Sequence, residues 1–508
     1  MIFKISISVK ETIDLITRQI SVRPNCPVSK VGFFNKTFNQ YNSFGGNMKK
    51  IKLLMALVII MSVILTACSP TQAPAEPAAP VDSEPADVAP VEEQPADDAP
   101  AAEAPVLSGK VVYAFPADGV QDSLRPEQVA MFNEVYPDIT VELLAVPEDG
   151  YDQKNLSMIV AGEQLDIFGS GEVFVAPYIQ NGVSLPLTDL IANDPNFHPE
   201  DFVPNIIDYF KDSEGNIHML PGPYDVQRIY YNKKLFDDAG LAYPEDSWTW
   251  ADFKSMAEKL TIGEGVNKQF GFLAGTRWYV FMPYVWANGG NMWSEDGTTC
   301  LFNSPETVEA LDWYVDFMRK GLSPSPSELT GLGMSAGDMF TTGKVAMVSS
   351  GGWDIPYFNE ITDFEWGQVA LPASPNGRAT TLHLQMNLIS AKTEFPAQTW
   401  AWLSYLTSPE MYTYEVLKYG QGVPPRISTT QEILNNPPAD ADPQALLNLQ
   451  IGFESAKFGR TLPKIINFAQ IRDDVVYPNL DLFWNGEIAT AQEVGDLICS
   501  QMILEPMK

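Results

Sequence analysis

The sequence is poor in the residues that build metal centres, nucleic-acid surfaces and membrane spans. Its three histidines, His198, His218 and His383, stand at no metal-ligand spacing, and its four cysteines, Cys26, Cys68, Cys300 and Cys499, form no cluster. With no HExxH pattern either, a zinc centre is not expected, and no other cofactor is. Basic residues are half as many as acidic ones, 32 against 64, for a formal net charge of -32 and an isoelectric point near 4.3. Such a chain repels phosphate backbones and anionic lipid, so no nucleic acid is expected as a partner. The phosphate-binding pattern GxxxxGK[ST] is missing, so any ATP hydrolysis belongs to another polypeptide. The apolar run at 53–64 is too short for a membrane span of about 20 residues.

That short run is nevertheless informative in its setting. Met48, Lys49, Lys50 and Lys52 precede it as a basic head, and Leu65-Thr66-Ala67-Cys68 closes it. The whole, 48–67, reads as an export signal, and its end resembles the bacterial lipoprotein box. The resemblance implies a diacylglyceryl group on Cys68, with acyl chains such as palmitate, and cleavage that leaves Cys68 as the mature N-terminus. Two acyl chains suffice for stable anchoring, so the chain is expected outside the cytoplasm, lipid-anchored to the cell membrane on the periplasmic side or the cell surface. The other reading is an ordinary signal peptide with an incidental cysteine. A signal beginning at Met48 leaves 1–47 without a role. Gly45-Gly46 just before it matches a ribosome-binding sequence read in frame, so 1–47 is read as a mis-called upstream extension. From Cys68 to 106 the chain is rich in Pro, Ala and Glu and lacks Lys, Arg and aromatics. It cannot bury enough apolar surface to offset its ordering entropy, and is read as a disordered linker reaching on the order of 100 Å.

The body from about Leu107 reads as α/β. Lys110 to Phe115 is an apolar strand, Gln128 to Val135 a helix ended by Pro137, and Ile139 to Val146 an alternating strand. A helix over Tyr151 to Ala161 leads into the strand LDIF. Strand–helix alternation implies a largely parallel sheet whose ligands gather at the strands' carboxyl ends, here 115–119 and 169–174. Thr249 and Asp252 are spaced as a capping box, and Ser304-Pro305-Glu306 starts a second helix, which Gly321 ends. Cys300 and Cys499 are the body's two cysteines; the sequence does not say whether they pair.

The stretches YYNKKLFDDAGL (230–241) and SWTWADF (247–253) resemble the signature of the extracellular solute-binding proteins of ABC importers, in the sugar-binding family that includes maltose-binding protein. WANGGNMW (286–293), NSPETVEALDWYVDF (303–317), MFTTGKVAMVSSGGWD (339–354), VALPASPNG (369–377) and PPRI (424–427) follow in that family's order. The resemblance implies a two-lobe, type II (Venus-flytrap) periplasmic-binding-protein fold, each lobe a mainly parallel sheet flanked by helices. It assigns 107–225 and 347–391 to lobe 1, and 226–346 and 392–508 to lobe 2. It also implies a sugar or oligosaccharide captured between the lobes by hinge closure and delivered to membrane permease subunits served by a separate cytoplasmic ATPase. The protein is expected to be a monomer and not an enzyme. Aromatic faces and directional polar groups suit a sugar, so the implied contacts are Asp118, Glu172, Tyr224, Asp225, Trp278, Asn288, Trp353, Asp354, His383 and Arg426.

Blander readings stand beside these. Trp286, Trp313, Trp400 and Trp402 fall on helical stripes and are read as core. Asp225 reads equally as a hinge residue, Glu172 as a helix cap, and Arg426 as the partner of a structural carboxylate. Gly333 to Gly337 matches G-x-S-x-G, but no strand precedes Ser335, which is read as a helix start. Paired carboxylates leave open a tethered polysaccharide hydrolase, and nothing in the sequence separates an importer component from a carbohydrate-sensing module.

Overall fold

The computed structural model describes residues 107–420 and 422–507. The export signal, Cys68, the linker and the segment 1–47 lie outside the described residues. Within them, the eleven strands are numbered in chain order, as are helices of eight residues or more.

The first sheet forms around a strand whose residues 111–115 are buried on both faces. β1 (Gly109–Ala117) pairs in parallel with β2 (Ile139–Pro147) and β3 (Ile167–Gly171), and β10 (Gln385–Ile389) joins antiparallel between β3 and β4 (Leu220–Pro221). Side chains alternate across a strand. Val112 and Ala114 therefore enter one core with Phe168, Met386 and Leu388, while Val111, Tyr113 and Phe115 enter the opposite one with Ile167 and Ile389. Helix α1 (Gln121–Val135) follows β1 and begins seven residues before Gln128, the expected start; the Asp118 carboxylate accepts from the amides of Val120 and Gln121 there. Helix α2 (Tyr151–Ala161) follows β2, within the bounds expected.

The second sheet has β6 (Arg228–Asn232) at its centre, antiparallel to both β7 (Met347–Ser350) and β8 (Trp366–Ala370). On it pack α3 (Trp250–Leu260), α4 (Trp278–Ala287) and α5 (Pro305–Arg319). The capping box is formed: Thr249 Oγ1 accepts from the Asp252 amide at 3.3 Å, and the Asp252 carboxylate accepts from the Thr249 amide at 2.9 Å. Ser304 Oγ caps α5 through the Thr307 amide, and Gly321 follows its end at φ +67°. Trp286 is buried in this core and Trp313 stacks on Trp250 at 3.9 Å, while Trp400 and Trp402 are buried in the first.

Between these lies a ribbon of β5 (Asp225–Val226), β9 (Thr380–His383) and β11 (Gly459–Arg460). The chain leaves the first sheet for the second through β5, returns through β9 into β10, and crosses again at β11. Two parts of the expected partition differ. The segment 347–370, expected with the first sheet, flanks β6 in the second. The helices α6 (Pro396–Leu406), α7 (Pro409–Tyr419), α8 (Ile427–Asn435) and α9 (Pro443–Ser455), expected with the second, pack on the first through Trp402, Tyr412, Val416, Ile433 and Leu449. Only after β11 does the chain join the second core, ending in α10 (Tyr477–Trp484) and α11 (Ala491–Gln501). Cys300 and Cys499 are joined, with Cα atoms 5.4 Å apart, which ties α11 to the turn after Trp293.

Candidate functional site

Three aromatic rings meet where the ribbon ends. His383, last in β9, lies 4.7 Å from the Trp353 ring and 5.1 Å from the Tyr279 ring, both edge to face, and Tyr279 and Trp353 are 6.2 Å apart. Trp353 is presented by the turn after β7, Tyr279 by the first turn of α4. Trp353, Tyr279, Asp354, Ser350 and Arg277 border a cavity of about 310 Å³ on the second sheet's side. Glu172 comes from the first sheet's side, just past β3, and the backbone amides of Glu172 itself and of Leu384, next to His383, favour its charged form against burial.

Burial pushes Glu172, His383 and Asp354 toward their neutral forms. Burial raises the Glu172 carboxyl to about 7. Burial, and then the Arg228 guanidinium, lower His383 to about 3, so its ring is uncharged. Gln227 Nε2 donates to His383 Nε2 at 3.1 Å, which leaves the ring proton on Nδ1, and Gln227 Oε1 accepts from Ser349 Oγ at 2.9 Å. Ser350 Oγ donates to Asp354 at 2.5 Å; burial raises that carboxyl, and Asp225 adds to the rise. Two rings for apolar C–H faces, an imidazole donor and carboxyls that accept or donate suit a polyhydroxyl ligand.

Asp225 serves the crossing itself. It is buried, ion-paired with Arg228, and accepts from the amides of Val226 (2.7 Å) and Gly352 (2.6 Å). Asp118 caps α1 and lines a second cavity at the ends of the first sheet's strands. Four expected contacts are engaged elsewhere. Tyr224 is fully buried in the first core, with its backbone paired to Val423. Trp278 is buried against Phe468, and Asn288 donates to the Glu306 carbonyl and the Glu309 carboxylate. Arg426 donates to the carbonyls of Thr407 and His198, lies 3.6 Å from Asp201 and covers the Phe202 ring. Ser335 of the G-x-S-x-G stretch caps a short helix through Asp338. Sequence reasoning missed Tyr279 and Gln227. One helical step of about 100° separates Trp278, turned to the core, from Tyr279, turned to the cleft.

The profile of the bacterial extracellular solute-binding proteins matches residues 113–413. A Brucella abortus protein named as a binding protein is 28% identical over 261 residues, 49% of this chain and 60% of its own length. The mannitol-binding protein of Pseudomonas aeruginosa is 26% identical over 233 residues, 44% of this chain and 51% of its own. The chain thus spans about half to three-fifths of these relatives. An ABC substrate-binding protein of Listeria monocytogenes, solved in complex with cycloalternan, has the same fold at a TM-score of 0.68 and 24% identity, over 77% of this chain and 97% of that one.

Proposed function

The chain belongs to the bacterial extracellular solute-binding protein family, and from that premise we propose that it captures a neutral sugar or oligosaccharide by hinge closure and delivers it to an ABC permease. The observation that carries this reading is the cluster of Tyr279, Trp353 and His383 beside Glu172, contributed by both sheets and the ribbon between them. Neither sheet alone supplies the full set, so contacts from both form only when the lobes approach, and the ligand thereby favours the closed state. The uncharged imidazole and the readily protonated Glu172 favour a neutral ligand over an anion. In this reading lobe 1 is 107–227 with 380–458, and lobe 2 is 228–379 with 459–508. Cys68 carries the lipid that holds the protein outside the membrane, the protein acts as a monomer, and the ATPase is a separate chain.

A thermal-shift screen of neutral saccharides tests it. Ligand at a hundred times its dissociation constant adds about 2.7 kcal/mol of stability, a readily visible rise in Tm. Some saccharide should produce that rise, and Trp353→Ala should weaken its binding at least tenfold. A screen with no rise, or unchanged binding by Trp353→Ala, refutes the reading. The hydrolase alternative predicts shortened chains after incubation with oligosaccharides; the binding reading predicts chain lengths unchanged.

A further inference from the structure

The lobes also touch beyond the ribbon. Four residues past β11, Lys464 of the second lobe donates to the backbone carbonyl of Lys211 in the first, and its ammonium lies 5.7 Å from the centre of the Tyr209 ring. Burial lowers the Lys464 pKa, while the carboxylates of Asp212 and Asp208 oppose that fall, so acid on one lobe faces a cation on the other. Val173 of the first lobe packs against the second core, and Val173 and Tyr209 face Leu462 and Ile465 across a gap too narrow for a water molecule. Protein meets protein here, with no space for a ligand. Glu172 lines the same gap, and Leu384, whose amide acts on its carboxylate, adjoins His383, so the contact stands beside the site.

Both faces are fixed before they meet. On the second lobe, 464–467 is paired with 503–507: the Ile466 amide donates to the Glu505 carbonyl at 2.8 Å, and the Met507 amide to the Lys464 carbonyl at 2.9 Å. Ile465 packs so closely on Gly297 that a Cβ there would lie 2.5 Å from it, and Phe468 meets the rings of Trp278 and Trp293 at 5.8 and 5.3 Å. On the first lobe, Asp212 closes the turn after Lys211 by accepting from the amides of Glu214 and Asn216 at 2.8 and 2.9 Å, and Tyr209 Oη donates to the Glu172 carbonyl at 3.4 Å. Such preorganised faces lose little entropy on meeting. We propose that Lys464 is a closure latch, a contact from lobe to lobe that forms as the cleft shuts, parts as it opens, and supplies a share of the closing preference that the ligand then need not supply. This inference rests on the saccharide-binding reading above. Losing a latch lowers the fraction of protein in the binding-competent state, and so weakens every ligand by one common factor. A side chain that touches ligand discriminates among ligands instead.

Calorimetric titration of Lys464→Met and Lys464→Glu with two or more saccharides that raise the wild-type Tm tests it. Lys464→Met keeps the aliphatic stem and removes the charge and the donor; Lys464→Glu sets a carboxylate against Asp208 and Asp212. The first should weaken each saccharide at least threefold and the second at least tenfold, by the same factor for each saccharide. The Tm of the free protein should stay at the wild-type value, because the latch is parted while the cleft is open. Wild-type affinity in both variants, losses that differ severalfold between saccharides, or a lowered Tm of the free protein, which would make the contact permanent, would each overturn the latch alone. Binding of no saccharide by the wild type would overturn the functional reading and this inference with it.

Discussion

At Gly352 there is no room for a side chain: a Cβ would lie 2.6 Å from Asp225 Oδ2 and 2.7 Å from Asn448 Oδ1. Gly352→Ala must therefore displace the buried Asp225–Arg228 pair, and should cost about 1–3 kcal/mol in urea denaturation. A loss below 0.5 kcal/mol, roughly the size of a surface change, would show that the crossing gives way freely. Glu172 and His383 titrate in opposite senses. The Glu172 carboxyl holds its proton up to about 7 when folded and only to about 4.5 when unfolded, so its contribution to stability is present below 4.5 and lost as pH rises through 7. His383 stays neutral down to about 3 when folded but charges near 6.5 when unfolded, so its contribution is present above 6.5 and lost as pH falls toward 3. The two slopes offset each other between 4.5 and 6.5. Glu172→Gln should make Tm climb more steeply with pH across that window, and His383→Gln should make it fall. Tm profiles of both variants parallel to wild type would contradict these assignments.

At the level of elements, the disulfide closes a long loop, its two ends separated by 199 positions in the sequence. Cross-linking a loop of that length restricts the unfolded chain by a nominal 5 kcal/mol or so, and removing native bridges typically costs 2–5 kcal/mol. The double variant Cys300→Ser/Cys499→Ser should lose that much, and reductant should lower the wild-type Tm to match; insensitivity to both would mean the bridge is idle. Local elements were legible because their signals are local. The Thr249–Asp252 box, the Ser304 cap and the run of 110–115 each carry their own physics within a few residues. What was not legible is which core a given face meets. The apolar stripe of 396–406 is plain in the sequence, but nothing in its periodicity says that Trp402 packs beside Tyr113, 5.9 Å away and nearly three hundred residues earlier, rather than against the second sheet. The same limit placed Tyr224 and Trp278 in the cleft: residue type signals a sugar platform and a core aromatic alike, and only packing separates them. Trp353 was better marked, because the glycines before it leave no stripe for it to join.

For the whole molecule, three chain crossings meet at one side of the site, and Arg228 ties the first of them to elements on both sides. Its guanidinium pairs with Asp225, donates to Gln368 Oε1 of β8 at 3.3 Å, and reaches the carbonyl of Asn448 on α9 at 3.3 Å. A fully buried charge with partners on both sides resists sliding of one lobe over the other, while a narrow ribbon bends, so rotation about β5, β9 and β11 is the motion left open. Ligand drives that rotation only by as much as it prefers the closed form; a shift from 1:99 to 99:1 needs about 5.5 kcal/mol of preference. Tyr279 and Trp353 come from the second sheet's side, His383 from the ribbon and Glu172 from the end of β3, and a ligand that touches all four is a source of such preference. Small-angle scattering should therefore show the radius of gyration fall when a saccharide that raises Tm is added to saturation. Trp353→Ala at the same ligand concentration should keep the larger radius, since it lacks the face that rewards closure. If calorimetry shows the wild-type protein saturated and its scattering curve is unchanged, the lobes do not swing, and binding must be explained by a site already assembled in the free protein.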